Sequence, residues 1–381
     1  MTCPPIIKRL SDYQVDPQRG FLPARSPISQ LPEGFSGWDQ LAARLSDLLI
    51  AGRYRSAVDR LSIPDTTRLE TEAQLQRAML LLSVFGNSYI WGGPETASVI
   101  PRALAVPWAE VAERLGRPMI ISHASIVLNN WYLLDETKAL DLSNMGTRQL
   151  FLGGMDEAWF YLTTVAIEAK GAPALPELVN LKAAVVADAP EKVTDLLGSI
   201  ALVIESISDA LSRIPERCAP YVFYHRVRPF LAGWKEPGVL YEGVYDTPRV
   251  LAGGSAAQSS LLQAIDAGLS IVHEDNKTRP FLMDMRRYMP PAHRRFIEDL
   301  AGGPSTHEYV NARAARCPAL RQSYNACVTG LTEFRRRHME ITVRYITHLA
   351  NSDEGTVGTG GTDFLPFLKQ ARTESQQNLI D

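Results

Sequence analysis

Histidine is the side chain best suited to both metal ligation and proton transfer near neutral pH, and this chain has seven, at positions 123, 225, 273, 293, 307, 338 and 348. None stands in an HExxH or comparable pairing, and the four cysteines (Cys3, Cys218, Cys317, Cys327) show no CxxC or Cys/His spacing. A site with three or four converging protein ligands is therefore not written in the sequence. One histidine stands out by its place in a pattern. Tyr324, Val328, Leu331, Phe334, Ile341 and Tyr345 recur at helical spacing, and His338 fills the gap where the next core residue belongs. An imidazole facing inward from such a helix is either a satisfied core residue or a ligand to a metal or haem through one ring nitrogen. A porphyrin iron needs only one protein histidine, so the lack of a cluster favours haem over zinc or non-haem iron. Arg335, one turn earlier on the same side, could neutralise a haem propionate by a forked contact or be a solvated cation in the run Arg335, Arg336, Arg337. Spacing leaves both readings of each residue open.

Long helices are needed to hold such groups. The stripe around His338 predicts one over 324–346. Val193, Leu196, Leu197, Ile200, Ile204, Ile207, Leu211 and Ile214 sustain an apolar face for about six turns behind the start signal of Pro190. Residues 38–62, with Trp38, Leu41, Leu45, Leu48, Leu49 and Tyr54, and residues 70–85 read as further packed amphipathic helices. Alternating runs flanked by hairpin turns are scarce, so strands should be short and peripheral and the fold class all-α, without internal repeats. Prolines at 4, 5, 17, 23, 27 and 32 make the first 35 or so residues an extended arm. The Gly- and Thr-containing stretch 144–154 predicts a boundary between a smaller N-terminal helical domain (1–145) and a large helical-bundle domain (146–381), with a helix starting near Met155. Two Gly-rich segments interrupt the second: 251–255, and 351–363 (NSDEGTVGTGGTD), which is a flexible connector or a lid. It is not a phosphate loop, because no GxxxxGK[ST] pattern occurs.

With 381 residues, 45% hydrophobic and 21% charged, the chain has ordinary globular composition and can bury a core large enough to enclose a cofactor. A net charge of -3 gives no reason to expect nucleic acid or an anionic membrane as partner. The first residues lack a signal peptide's basic start and apolar run, and no stretch has the roughly 18 apolar residues of a membrane span. Dispersed cysteines suit a reducing compartment. The expectation is a soluble cytoplasmic protein, monomeric, with a small-molecule partner.

The segment YNACVTGLTEFRRRHMEITVRYI, followed by GTGGTDFLPFLKQAR, resembles the C-terminal signature of the indoleamine 2,3-dioxygenases, and so do RPFLAGWK, LYEGV, AGGSAAQSSLLQAID and FLMDMRRYMPPAHRRF upstream. These blocks occur in the same order within 223–372, and weaker similarity extends back through DEAWFYLTTVAIEA and SIVLNNW. The resemblance implies haem b, ferrous in the active form, a small N-terminal helical domain over a large C-terminal one, and dioxygenation of the indole C2=C3 bond of L-tryptophan to N-formylkynurenine. Dioxygen would be the second substrate, and an electron donor would keep the iron reduced.

Carried over residue by residue, the resemblance makes His338 the proximal iron ligand, Arg335 the arginine beside a propionate and Asp266 the carboxylate that pairs with it. Across the haem, Phe160 and Thr164, four apart on one helix, match the distal phenylalanine and a small hydroxyl residue. Phe223 matches a second aromatic wall, so that two aromatic faces would sandwich the indole, and Arg228 the arginine that receives the substrate carboxylate. Pro229 biases Arg228 away from regular helix. Gly254, Ser255 and Ala256 match a loop whose backbone passes close to haem and substrate, with Ser255 also on the cofactor side. Thr359 matches a lid threonine that contacts the substrate ammonium. His123 aligns with a distal tyrosine of the vertebrate enzymes, where it either hydrogen-bonds dioxygen or substrate or is a partly buried polar residue without a chemical step.

Three rival readings belong beside this one. The same scaffold could act on another indole, such as a substituted tryptophan or tryptamine, in which case the carboxylate contact would be dispensable. A haem protein that only binds dioxygen would show a Soret band and no ring opening. A helical interaction protein without haem would give no spectral change on haem titration.

Overall fold

The computed structural model describes residues 7–273, 278–349, 358, 359 and 364–381. Helices carry most of it. The N-terminal arm wraps rather than projects: Tyr13, Val15, Phe21 and Leu22 are buried, and the Tyr13 hydroxyl donates to Asp299 at 2.5 Å.

The pattern over 38–62, expected as packed helix, is divided among α1 (Ser36–Ala43), α2 (Leu45–Ile50) and α3 (Tyr54–Val58). Arg44 leaves helical geometry at φ -107, ψ 6, and Gly52, at φ 65, ends the second piece. Leu41, Leu45 and Leu49 nevertheless stay buried, because the apolar spacing runs across the breaks. In contrast, α4 (Glu72–Trp91) is continuous from a Thr71/Gln74 capping box and passes the expected end at 85. It is buried on nearly every side. After β1 (Val99–Ile100) comes α5 (Arg102–Leu115), closed by Gly116 in the left-handed region. Then β2 (Trp131–Leu133) pairs antiparallel with β3 (Met145–Thr147).

The larger lobe begins with α6 (Met155–Gly171), α7 (Ala174–Val186) and α8 (Pro190–Ser212). Glu157 sets the entry to α6: its carboxylate accepts from the backbone N–H groups of Phe151, Leu152 and Gly153 at 2.7, 3.0 and 2.9 Å. Burial pushes that carboxyl up to about 7 even against those three donors. On α8, Pro190 occupies the first turn, and the residues of the sequence stripe from Val193 to Leu211 are all buried. One turn of α9 (Pro220–Val222) leads through a π-turn (Phe223–Val227) and a 3-10 turn (Arg228–Leu231) into β4 (Trp234–Tyr241), which pairs with β1 in parallel and with β5 (Arg249–Leu251) antiparallel. β4 is longer than the short peripheral strands expected, and it buries Trp234, Val239 and Tyr241. Its alternation is broken by Pro237 and Gly238, which hides it from a period-two reading.

Four helices follow, α10 (Ser260–Leu269), α11 (Thr278–Arg286), α12 (Pro291–Gly302) and α13 (Thr306–Asn311). The 28-residue α14 (Pro318–Tyr345) then packs against α8 and α15 (Phe364–Gln376), while α6 packs on α8. α14 begins six residues before the expected start because Pro318 takes its first position. Among the described residues, no helix is long and apolar enough to cross a membrane.

Candidate active site

Between α6, α14, α15 and the 251–255 loop lie two adjoining chambers of about 200 and 130 Å³, which share Phe160, Ile214, Leu231, Gly254, Ser255, Ala256 and His338 in their walls. The outer chamber adds Arg228, Phe281, Tyr345, Thr359 and Phe367. The inner one adds His123, Ile126, Val127, Thr164, Glu168 and Ser259. The lining is mostly apolar with a few polar side chains, the usual make-up of a small-molecule site.

His338 projects from α14 into both. Burial, and then the charge of Arg335, lowers its imidazole to about 4, so the ring is neutral at physiological pH and a nitrogen lone pair is available to a metal. Its ring makes no hydrogen bond among the described residues, and it lies nearly parallel to Phe334. Among the described residues, no group of three or more His, Cys, Asp and Glu is arranged to share an ion.

Beside it is a closed charge network. Nη2 of Arg335 donates to both oxygens of Asp266, at 2.9 and 2.6 Å, and Nη1 donates to the Ser375 hydroxyl. Asp266 also meets His273 Nε2 at 3.2 Å, and His273 Nδ1 lies 2.7 Å from Glu374. Burial alone would raise the Asp266 carboxyl, but Arg335 and His273 outweigh it and hold it at about 2. Burial alone would lower His273, yet its contacts with Asp266 and Glu374 raise it. Arg335 and an imidazole of raised proton affinity thus sit with two carboxylates, tying α10 and α14 to α15.

The opposite wall is α6. Phe160 and Phe223 touch, their ring centroids 4.6 Å apart and tilted by 48°. They form a single apolar wall and not the two faces of a sandwich, because the π-turn at Phe223–Val227 turns the second ring onto the first. Thr164 donates its hydroxyl proton to the Phe160 carbonyl at 2.9 Å, which leaves the oxygen lone pairs as acceptors on the inner-chamber side. Arg228 lines the outer chamber with its guanidinium carbon 5.3 Å from the centre of the Tyr224 ring. Despite Pro229, Arg228 keeps right-handed helical angles (φ -53, ψ -41); the irregularity falls on the π-turn before it and the 3-10 turn after it. On the other side, Asn87 of α4 grips this stretch, donating to the carbonyls of Phe230 and Ala232 at 2.9 and 3.2 Å.

The 251–255 loop is held by backbone contact. A Cβ on Gly253 would stand 2.2 Å from the Leu231 carbonyl, and one on Gly233 2.3 Å from Gly253 N. Gly254 differs: a Cβ there would meet no protein atom closer than 3.4 Å and would instead take up chamber space. Gln258 stitches the loop to the inner wall, donating to the Gly253 carbonyl at 2.8 Å and accepting from His123 N at 3.0 Å. Thr359 docks on the same loop, its hydroxyl donating to the Gly254 carbonyl at 2.5 Å while its own carbonyl accepts from Gly253 N at 3.1 Å. The remainder of the expected lid in 351–363, apart from Gly358 and Thr359, lies outside the described residues.

His123 is only 4% exposed, and its Nε2 lies 2.8 Å from Glu168, which also accepts from Ser259 at 2.7 Å. Sequence reasoning passed over Glu168, although it continues the Phe160, Thr164 series by one more turn of α6. It also passed over Ser259, Gln258, His273 and Glu374. The last pair meets across 101 residues of chain, which no local spacing signals.

These features fit a haem: a neutral imidazole on the shared wall of two mostly apolar chambers, a glycine at 254 whose added side chain would take up chamber space, and an arginine-centred network at the edge.

The family model described as Indoleamine 2,3-dioxygenase matches residues 9–378. The chain is 34% identical over 393 residues to indoleamine 2,3-dioxygenase 1 of Rattus norvegicus, covering 97% of this chain and 96% of that one. It is 33% identical to indoleamine 2,3-dioxygenase 2 of Homo sapiens, with 97% and 95% covered. To the indoleamine 2,3-dioxygenase of Saccharomyces cerevisiae it is 34% identical, with 96% and 92% covered.

Proposed function

The chain belongs to the indoleamine 2,3-dioxygenase family and is a haem-dependent dioxygenase of an indole; within that class we propose that its substrate is L-tryptophan and its product N-formylkynurenine. That class leaves no place for the readings as a mere dioxygen carrier or a haem-free interaction protein. Haem b, when bound, would supply the redox-active iron for dioxygenation of the indole C2=C3 bond. His338 would hold that iron, and Arg335, fixed by Asp266, would lie with Ser255 on the side of the cofactor's carboxylates.

The observation that carries the substrate assignment is the division of labour between chambers. Arg228 and Thr359 stand in the outer chamber, while the space beyond the Phe160–Phe223 wall is mostly apolar and continues to Thr164, with His123, Glu168 and Ser259 further along its wall. An amino acid with an indole side chain fits that polarity: carboxylate to guanidinium, ring against the aromatic wall, ring N–H to the Thr164 oxygen. The protein's part is to orient the ring and exclude water; no side-chain base is needed in this scheme.

Anaerobic reduction of the haem-loaded protein, followed by air and either L-tryptophan or tryptamine, tests the assignment by the absorbance of N-formylkynurenine. L-Tryptophan should be favoured in kcat/KM by about ten- to a hundredfold, the worth of one charge-assisted contact. Better turnover of tryptamine overturns it.

A further inference from the structure

A separate cleft of about 620 Å³ lies between the N-terminal arm, the first turns of α4 and the start of α12, and it shares no lining residue with either chamber. Much of its wall is apolar, with Phe21, Leu22, Pro27, Ile28, Leu128 and Pro290. A cation is set into this lining. Arg77 of α4 is 6% exposed, and its Nε and Nη1 have no hydrogen-bond partner among the described residues. Its Nη2 stands 3.6 Å from Asp39, too far for a hydrogen bond. The carboxylates that line the same cleft are already engaged. Glu72 accepts from the side-chain amides of Gln14 and Gln76 at 2.8 and 3.4 Å, and Asp16 from the backbone N–H groups of Gln18 and Arg19 at 2.9 and 2.8 Å. His293 of α12, also buried, faces the cleft with its Nδ1 unpartnered. Burial holds that imidazole down at about 3, so it is neutral and adds no charge. Buried polar atoms left open in this way are few in native proteins and require an explanation.

We infer that this cleft is a second ligand site, which binds an organic acid, a carboxylate on an apolar body, with Arg77 as its anchor. A guanidinium held out of water with open N–H groups is costly, and a carboxylate offers the forked acceptor that its geometry suits. His293 Nδ1, open to the same cleft, is a further donor in one neutral tautomer. The apolar walls select the rest of the molecule. An inorganic anion leaves them wet, whereas an aliphatic or aromatic body covers them, with a gain proportional to the area removed from water. The volume lies within the range of small-molecule sites. Because the arm forms one side of the cleft and α4 with α12 the other, an occupant bridges them and stabilises the folded chain by mass action.

The probe is octanoate, titrated calorimetrically into the haem-loaded protein with and without saturating L-tryptophan, so that binding at Arg228 in the substrate chamber is told apart. One equivalent should bind in both titrations, about tenfold or more tightly than octan-1-ol, which has the same body without the charge. Inorganic phosphate should not displace it, and melting temperature should rise with octanoate concentration. Arg77→Met should weaken octanoate by about tenfold or more and leave octan-1-ol unchanged. Ala73→Trp, at an exposed position on the cleft wall, should fill the space and abolish binding of both while indole oxidation continues, and it serves if the first variant does not fold. Absence of saturable octanoate binding, equal affinity for octan-1-ol or displacement by phosphate overturns the inference. Binding that survives both variants, or that L-tryptophan competes away, places the acid elsewhere and overturns it too. None of these results touches the dioxygenase reading.

Discussion

The two walls of the chamber treat charge in opposite ways. On the α14 side, Arg335, Asp266, His273 and Glu374 are clustered largely out of solvent, with short contacts linking each to the next. On the α6 side, His123 and Glu168 are buried more deeply, and His123 Nδ1 and Glu168 Oε2 have no hydrogen-bond partner among the described residues. A fully satisfied network fixes geometry, since any movement leaves a buried charge without its partner. An incompletely satisfied one has bonding capacity left for a ligand. The first wall is built to hold His338 in place, the second to meet whatever enters.

The largest effect should come from removing the imidazole of His338, the α14 side chain that faces both chambers and would hold the iron. His338→Ala is expected to abolish saturable haem uptake, read as loss of a stoichiometric Soret titration, and indole oxidation with it. Added imidazole should restore part of the spectral band, because the vacated volume faces the chamber and the α14 network beside it is untouched. A variant that takes up haem and opens the ring as before removes the basis of the contrast between the walls.

Next in size is Asp266→Ala, which leaves Arg335 and His273 buried together without the carboxylate they share. The expected loss is about 3–5 kcal/mol of stability by chemical denaturation, the range for breaking a buried ion pair on one side. The same network sets a pH profile. Asp266 is held at about 2, so its contribution is complete above the ordinary carboxyl range near pH 4 and is lost as pH falls from there through about 2. His273 is raised above its ordinary value of about 6.5, so its contribution is complete below that pH and is lost as pH rises through the elevated value. Melting temperature should therefore decline as pH rises from about 6.5 upward, and His273→Gln should flatten that decline. An alkaline limb of the same slope in the variant shows that the imidazolium is not part of the clamp.

How far this contrast could be read beforehand depends on the range of the signal. The helices α8 and α14 and the inward direction of His338 follow from periodicity, since an apolar stripe states which face is buried. The breaks among α1, α2 and α3 do not, because Arg44 and Gly52 interrupt the backbone without interrupting the apolar spacing. Asp266, Phe160, Arg228 and Thr359 came from the family resemblance, and spacing alone would have left each as an ordinary core or surface residue. The contact between Phe160 and Phe223 was illegible, because a sequence gives the faces of two helices but not the gap between them. Glu168 was legible in principle from its helical spacing with Thr164. His273 and Glu374 were not: only tertiary folding brings 101 residues of separation to 2.7 Å.

The smallest effect tests how finely the α6 wall is tuned. Thr164 spends its proton on the Phe160 carbonyl, a local back-bond that contributes little to a helix, so Thr164→Val should change stability by no more than about 0.5 kcal/mol. What it removes is an acceptor, worth about 0.5–1.5 kcal/mol in an ordinary hydrogen bond, and kcat/KM for L-tryptophan should fall about three- to tenfold. An analogue methylated on the indole nitrogen has no proton to offer, so its Kd should not change between the two proteins. If the variant weakens both ligands equally, the added methyl group acts through bulk, and the lone pairs of Thr164 have no part in orienting the ring.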